Sequence, residues 1–84
     1  MYQVLIARSA EKQLKKLSPQ VQRKIAAVIM SLSIEPRPYG SKKLTATVSS
    51  YRVRVGDYRV IYEIYEREIV VTVLKISHRR DVYR

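Results

Sequence analysis

"SYRVRVGDYRVIYEIYEREIVVTVLKIS", Ser50 to Ser77, decides the fold. β-branched and aromatic residues dominate it, and apolar positions alternate with charged ones, the pattern of half-buried strands. Gly56-Asp57 falls between Val55 and Tyr58 and suits a two-residue hairpin turn with positive φ at Gly56. Glu66–Glu68 reads as the next turn, so the stretch holds three strands. The hairpin sets a register: Val55 faces Tyr58, Arg54 faces Arg59, Val53 faces Val60 and Arg52 faces Ile61. Side chains alternate along each strand. Tyr51, Val53, Val55, Tyr58, Val60 and Tyr62 therefore share a core face, and Arg52, Arg54 and Arg59 share the opposite one.

The last strand extends this count. Leu74 and Ile76 read as core, with His78 on their side. Lys75, Ser77 and Arg79 fall on the other side, where Lys75 and Arg79 join the arginines. Val71 and Val73 share that second parity, which implies a central strand with only its end exposed.

Towards the N-terminus, "YQVLIA" (Tyr2 to Ala7) reads as a short first strand. Ser9 is placed to cap a helix running to about Leu17, with Ala10, Leu14 and Leu17 on one side. Ser18 and Pro19 open a second helix as N-cap and first helical residue. Val21, Ile25, Val28, Ile29 and Leu32 form its apolar stripe, and Glu35-Pro36 ends it. "EPRPYGSKK" reads as a loop, with Tyr39 as a lid on the core in preference to a ring for stacking on an unpaired base. The order is β-α-α-β-β-β: an α+β fold, residues 1–84 forming one domain, with two helices packed on a mostly antiparallel four-stranded sheet.

Charge points to partners. Seventeen Lys and Arg against seven Asp and Glu leave a formal net charge of +10. Nucleic acid, an anionic membrane surface or an acidic protein would suit such a chain. There is no cysteine and a single histidine, so neither a disulfide nor a thiolate metal site is expected, and no cofactor or metal is called for. The N-terminus lacks the pattern of a signal peptide and no run reaches the length of a membrane span, which makes the cytosol the expected location.

Like charges directly across a strand pair cost roughly 0.2–1 kcal/mol. Three arginines on one sheet face therefore favour a polyanion partner over a merely solvated surface. The guanidinium fork binds phosphate oxygens bidentately and keeps its charge. The chain then ends in "SHRRDVYR", Ser77 to Arg84, directly after an apolar strand. A histidine is the only side chain that ordinarily titrates near neutrality, and His78 is the only one present. Tyr83 offers a ring that can stack on an unpaired base.

The run "YRVRVGDYRVIY", followed by an apolar strand and "HRRDVYR", resembles the RelE/ParE superfamily of bacterial toxins. The likeness spans essentially the whole chain. It implies the toxin of a toxin–antitoxin system, partnered by a cognate antitoxin protein. In the RelE branch it implies a metal-independent endoribonuclease that cuts mRNA on the ribosome, the 2′-hydroxyl attacking the adjacent phosphorus. On this resemblance Arg59 and Arg79 match phosphate-binding and catalytic arginines. Tyr83 matches a terminal tyrosine used in stacking or proton transfer. His78 falls beside them, and Arg52 and Arg54 match paired basic positions that bind substrate. Those two are often lysine in the RelE branch. Arginine does not serve as a base, so here they are cast as charge stabilisers, with Lys75 beside them. Two other functions stay open: a ParE-like inhibitor of DNA gyrase without nuclease activity, and a plain nucleic-acid-binding protein. The terminal "HRRDVY" favours the nuclease.

Overall fold

A computed structural model describes residues 1–44 and 49–82, apart from the side chains of 81 and 82. The chain forms β1 (Gln3–Ile6), α1 (Arg8–Lys15), α2 (Pro19–Ser31), β2 (Lys42–Lys43), β3 (Ser50–Val55), β4 (Tyr58–Tyr65), β5 (Val70–His78) and a short α3 (Arg79–Val82). The strands make one sheet in the order β1-β5-β4-β3-β2. β1 runs parallel to β5 and the other pairings are antiparallel. The sheet thus has five strands where four were expected. Lys42–Lys43, read as loop, pairs with β3 instead, Lys42 lying across from Arg52. A two-residue strand carries too little pattern to be seen in advance.

The hairpin is as the sequence dictates. Val55 pairs with Tyr58, Arg54 with Arg59, Val53 with Val60 and Arg52 with Ile61, and Gly56 has φ +61°. Val53, Val60, Tyr62 and Ile64 turn inwards and join one buried cluster with Ile25 and Ile29 of the second helix and Leu32 at its C-cap. Complete burial of such a side chain stabilises by about 1.5–3 kcal/mol. Ser18 caps α2 through its side chain, which accepts from the Val21 N–H, and Pro19 takes the first helical position.

β5 departs from simple alternation. Ile61 pairs with Lys75 but Tyr62 with Val73, so Leu74 is an extra residue in a β-bulge. The bulge turns Val71, Val73 and Ile76 all to the core, each at most 4% exposed. Leu74, expected in the core, is only half-buried. A bulge leaves backbone groups without ladder partners, and α1 supplies them. Ser9 Oγ donates to the Leu74 carbonyl at 3.1 Å, and the Ile76 N–H donates to Gln13 Oε1 at 2.8 Å. Ser9 is therefore not the cap of α1. Ala7 occupies that position without a side-chain bond.

Polar contacts pin the loop after α2. Tyr62 Oη donates to the Pro36 carbonyl at 2.8 Å, and Arg37 Nε donates to Tyr51 Oη at 3.0 Å. The Glu66 carboxylate accepts from Tyr2 Oη at 2.7 Å and pairs with Arg37. Those two bonds, Tyr2 first, hold the Glu66 carboxyl below its usual value near 4.5. A carboxylate with a depressed folded pKa stabilises fully above the unfolded value and ceases to as pH falls through the folded one. Glu66→Gln should therefore melt below wild type at neutral pH, with the gap closing as the pH falls through the depressed pKa, below the usual value near 4.5. A gap independent of pH in thermal melts would show that the carboxylate's charge is irrelevant.

Candidate active site

The helices cover one side of the sheet and leave the other open. The unbroken alternation of β3 and β4 sends Ser50, Arg52 and Arg54, and Arg59, Ile61, Glu63 and Tyr65, to the open side. Beyond the bulge Lys75 and Ser77 join them, across from Ile61 and Arg59. Arg52, Arg54 and Arg59 line one concavity of about 270 Å³, together with Gly40 and Lys42. Arg54 Nε donates to the Gly56 carbonyl at 3.0 Å, which ties that guanidinium over the turn.

Lys42 is the member that sequence reading missed. Its place across from Arg52 makes it a fourth cation of the concavity. The available signal was Gly40, whose φ of +92° and the bond from the Ser41 N–H to the Pro38 carbonyl turn the chain back towards β3. Four cations in one hollow repel each other and attract a ligand with several closely spaced negative oxygens, as a phosphodiester has.

The remaining expected residues lie elsewhere. Lys75 is on the same face, two strands away from Arg52, and does not line the hollow. Arg79, expected to close β5 on the arginine face, is instead the first residue of α3, beside the hairpin tip. Its N–H donates to the Asp57 carbonyl at 2.7 Å and its guanidinium lies 3.8 Å from Asp57 Oδ1. His78 pairs with Tyr58 on the helix-covered side, its ring edge-on to the tyrosine at 5.0 Å. The Arg80 N–H donates to His78 Nδ1 at 3.1 Å. Tyr83 lies outside the described residues. Glu63 shares the face of Arg59, and its carboxylate accepts from Tyr65 Oη at 2.6 Å, which pushes the Tyr65 phenol above its ordinary value. Tyr39, expected as a lid on the core, is instead fully exposed.

A two-helix, five-stranded α+β fold with a cationic hollow on its open face defines a class of small proteins suited to polyanions. The model of the family described as the ParE toxin of type II toxin–antitoxin system, parDE, matches residues 4–83. Toxin RelG of Mycobacterium tuberculosis is 32% identical over 87 residues, covering 99% of this chain and 97% of RelG. A chain of the archaeal RelE–RelB complex from Pyrococcus horikoshii OT3 matches with a TM-score of 0.84 at 34% identity, covering 93% of this chain and 94% of that one. The M. tuberculosis RelBE2 toxin–antitoxin complex gives a TM-score of 0.80 at 29% identity, covering 93% and 98%. The chain belongs to the RelE/ParE superfamily of toxins of type II toxin–antitoxin systems, in its RelE branch. Among the described residues no helix is long and apolar enough to cross a membrane.

Proposed function

We propose that this protein is a metal-independent endoribonuclease that cuts mRNA on the ribosome, in the cytoplasm, and so stops translation. The observation that carries the reading is the convergence of Lys42, Arg52, Arg54 and Arg59 on one hollow of the open sheet face. In the reaction the 2′-hydroxyl attacks the adjacent phosphorus as a base takes its proton. The bond to the 5′-oxygen breaks, and an acid protonates that oxygen. Negative charge builds on the phosphorane, and preorganised cations stabilise it best where water is excluded. Arginine thereby supplies the positive charge that a metal ion provides in other nucleases. Arg59 and Arg79 serve the phosphorane, while Arg52, Arg54 and Lys75 bind flanking phosphates. Proton transfer falls to Tyr83, with His78 as the second candidate. The ribosome contributes alignment of the mRNA, itself a large part of such a rate enhancement.

A toxin of this kind needs restraint. The M. tuberculosis RelBE2 relative was solved as a toxin–antitoxin complex. A net charge of +10 fits a cognate antitoxin that is acidic where it meets the toxin. The ParE description of the matching family model favours a second reading, inhibition of DNA gyrase without cleavage. One experiment separates the two. Primer extension on mRNA from induced cells should reveal discrete cuts within translated codons. Uncut mRNA together with inhibited gyrase supercoiling would establish the second reading instead.

A further inference from the structure

We propose that Tyr39 is a base-stacking platform for the RNA strand at the cationic hollow, one or two nucleotides from the bound phosphate; this rests on the nuclease reading above. Tyr39 is the i+1 residue of a tight turn. The Ser41 N–H closes the turn on the Pro38 carbonyl at 2.9 Å, and Gly40 takes the positive φ that the third position of a type II turn requires. The turn is therefore a defined structure that presents the ring at its tip. Its exit leads straight into β2, where Lys42 lies across from Arg52, and Gly40 itself lines the hollow. Only Gly40 and Ser41 separate Tyr39 from Lys42, a backbone span of at most about 10 Å.

The other described tyrosines are all occupied. Tyr2 bonds Glu66, Tyr51 bonds Arg37, Tyr58 meets His78, Tyr62 is buried and Tyr65 bonds Glu63. Tyr39 alone among them makes no hydrogen bond or ring contact and is fully exposed. A large aromatic ring held in water at the tip of a hydrogen-bonded turn buries no surface in the fold. Beside a cluster of four cations it has the make-up of a single-strand binding site, in which cations track the backbone and an aromatic face receives a base. Stacking needs no particular base, so the contact would add affinity without strict sequence preference.

The test uses single-turnover cleavage on purified ribosomes programmed with a short mRNA, as a function of toxin concentration. Tyr39→Ala should raise the half-saturating concentration by about tenfold, the scale of one lost base–aromatic stack. Tyr39→Phe should behave as wild type, since stacking does not use the hydroxyl. Abasic ribonucleotides are then placed one at a time around the cut. At one position the abasic substrate should weaken wild type but not weaken Tyr39→Ala further, the non-additivity expected of groups in contact. Tyr39→Ala indistinguishable from wild type on intact mRNA would overturn the platform while leaving the nuclease reading standing. Additive losses at every abasic position would do the same. Unchanged cleavage combined with lost capture of the cognate antitoxin would assign Tyr39 to a protein interface instead. Absence of cleavage by wild type would overturn the nuclease reading itself, and the platform with it.

Discussion

Arg59→Ala is expected to reduce mRNA cleavage by about a hundred- to thousandfold, the usual loss when one preorganised charge stabiliser is taken from a developing anion. The fold should persist. Arg59 points away from the core, and its partner across the strand pair is another arginine, Arg54. Removing one of two like charges relieves a repulsion of roughly 0.2–1 kcal/mol, which partly offsets whatever contacts the side chain makes. Circular-dichroism melts and single-turnover cleavage on programmed ribosomes give the two readouts. Arg79→Ala is expected to fall as far in activity, and the comparison is informative because the two arginines are held differently. Arg59 lines the hollow, whereas Arg79 stands beside Asp57 at the hairpin tip. That ion pair is more than half exposed on both sides, so its loss should cost little stability. An inactive Arg59→Ala beside a fully active Arg79→Ala would confine the catalytic unit to the hollow and leave Arg79 as a clamp on the turn. Full activity of Arg59→Ala at equal abundance would remove the hollow from the chemistry altogether.

How far these residues could be placed from sequence depended on whether local chemistry or a tertiary compromise set each position. The register of the β3–β4 hairpin was readable because Gly56-Asp57 leaves few turn geometries, and a two-residue turn fixes every cross-strand pair behind it. The face shared by Arg52, Arg54 and Arg59 follows from that turn alone. The far strand was read less well. Its alternation breaks at Leu74, and the bulge exists because Val71, Val73 and Ile76 must all reach the same core. The residues that make the bulge tolerable, Ser9 and Gln13, lie more than sixty positions away and carry no local sign of the task. Lys42 was hidden for a related reason. Its strand is two residues long, and only pairing with Arg52 makes it a strand. The nuclease chemistry came from resemblance, since arginine-rich faces serve many polyanion binders and nothing in their spacing names a reaction.

Removing residues 82–84 should abolish cleavage while ribosome binding survives. The cations of the hollow all lie upstream of the cut, and phosphate contacts supply most of the affinity of such proteins for nucleic acid. Cleavage needs more than affinity. Arginine cannot take the proton from the 2′-hydroxyl, and Glu63 is committed to Tyr65. His78 faces the helix-covered side, its ring against Tyr58 and its Nδ1 receiving the Arg80 N–H, so the opposite sheet face is not its natural reach. Tyr83 is left as the titratable group nearest the chain end, and a positioned general acid or base is worth about a hundred- to ten-thousandfold. Tyr83→Ala should then reproduce most of the truncation, and His78→Ala should lose less than about tenfold on that scale. Tyr83→Phe divides the remaining roles: retained cleavage assigns the ring to stacking, and lost cleavage assigns the hydroxyl to proton transfer. A truncated chain that cuts at the wild-type rate, or a His78→Ala variant that is folded yet as inactive as Arg59→Ala, would move proton transfer from the tail to the imidazole and require the histidine to turn across the sheet edge in the ribosomal complex.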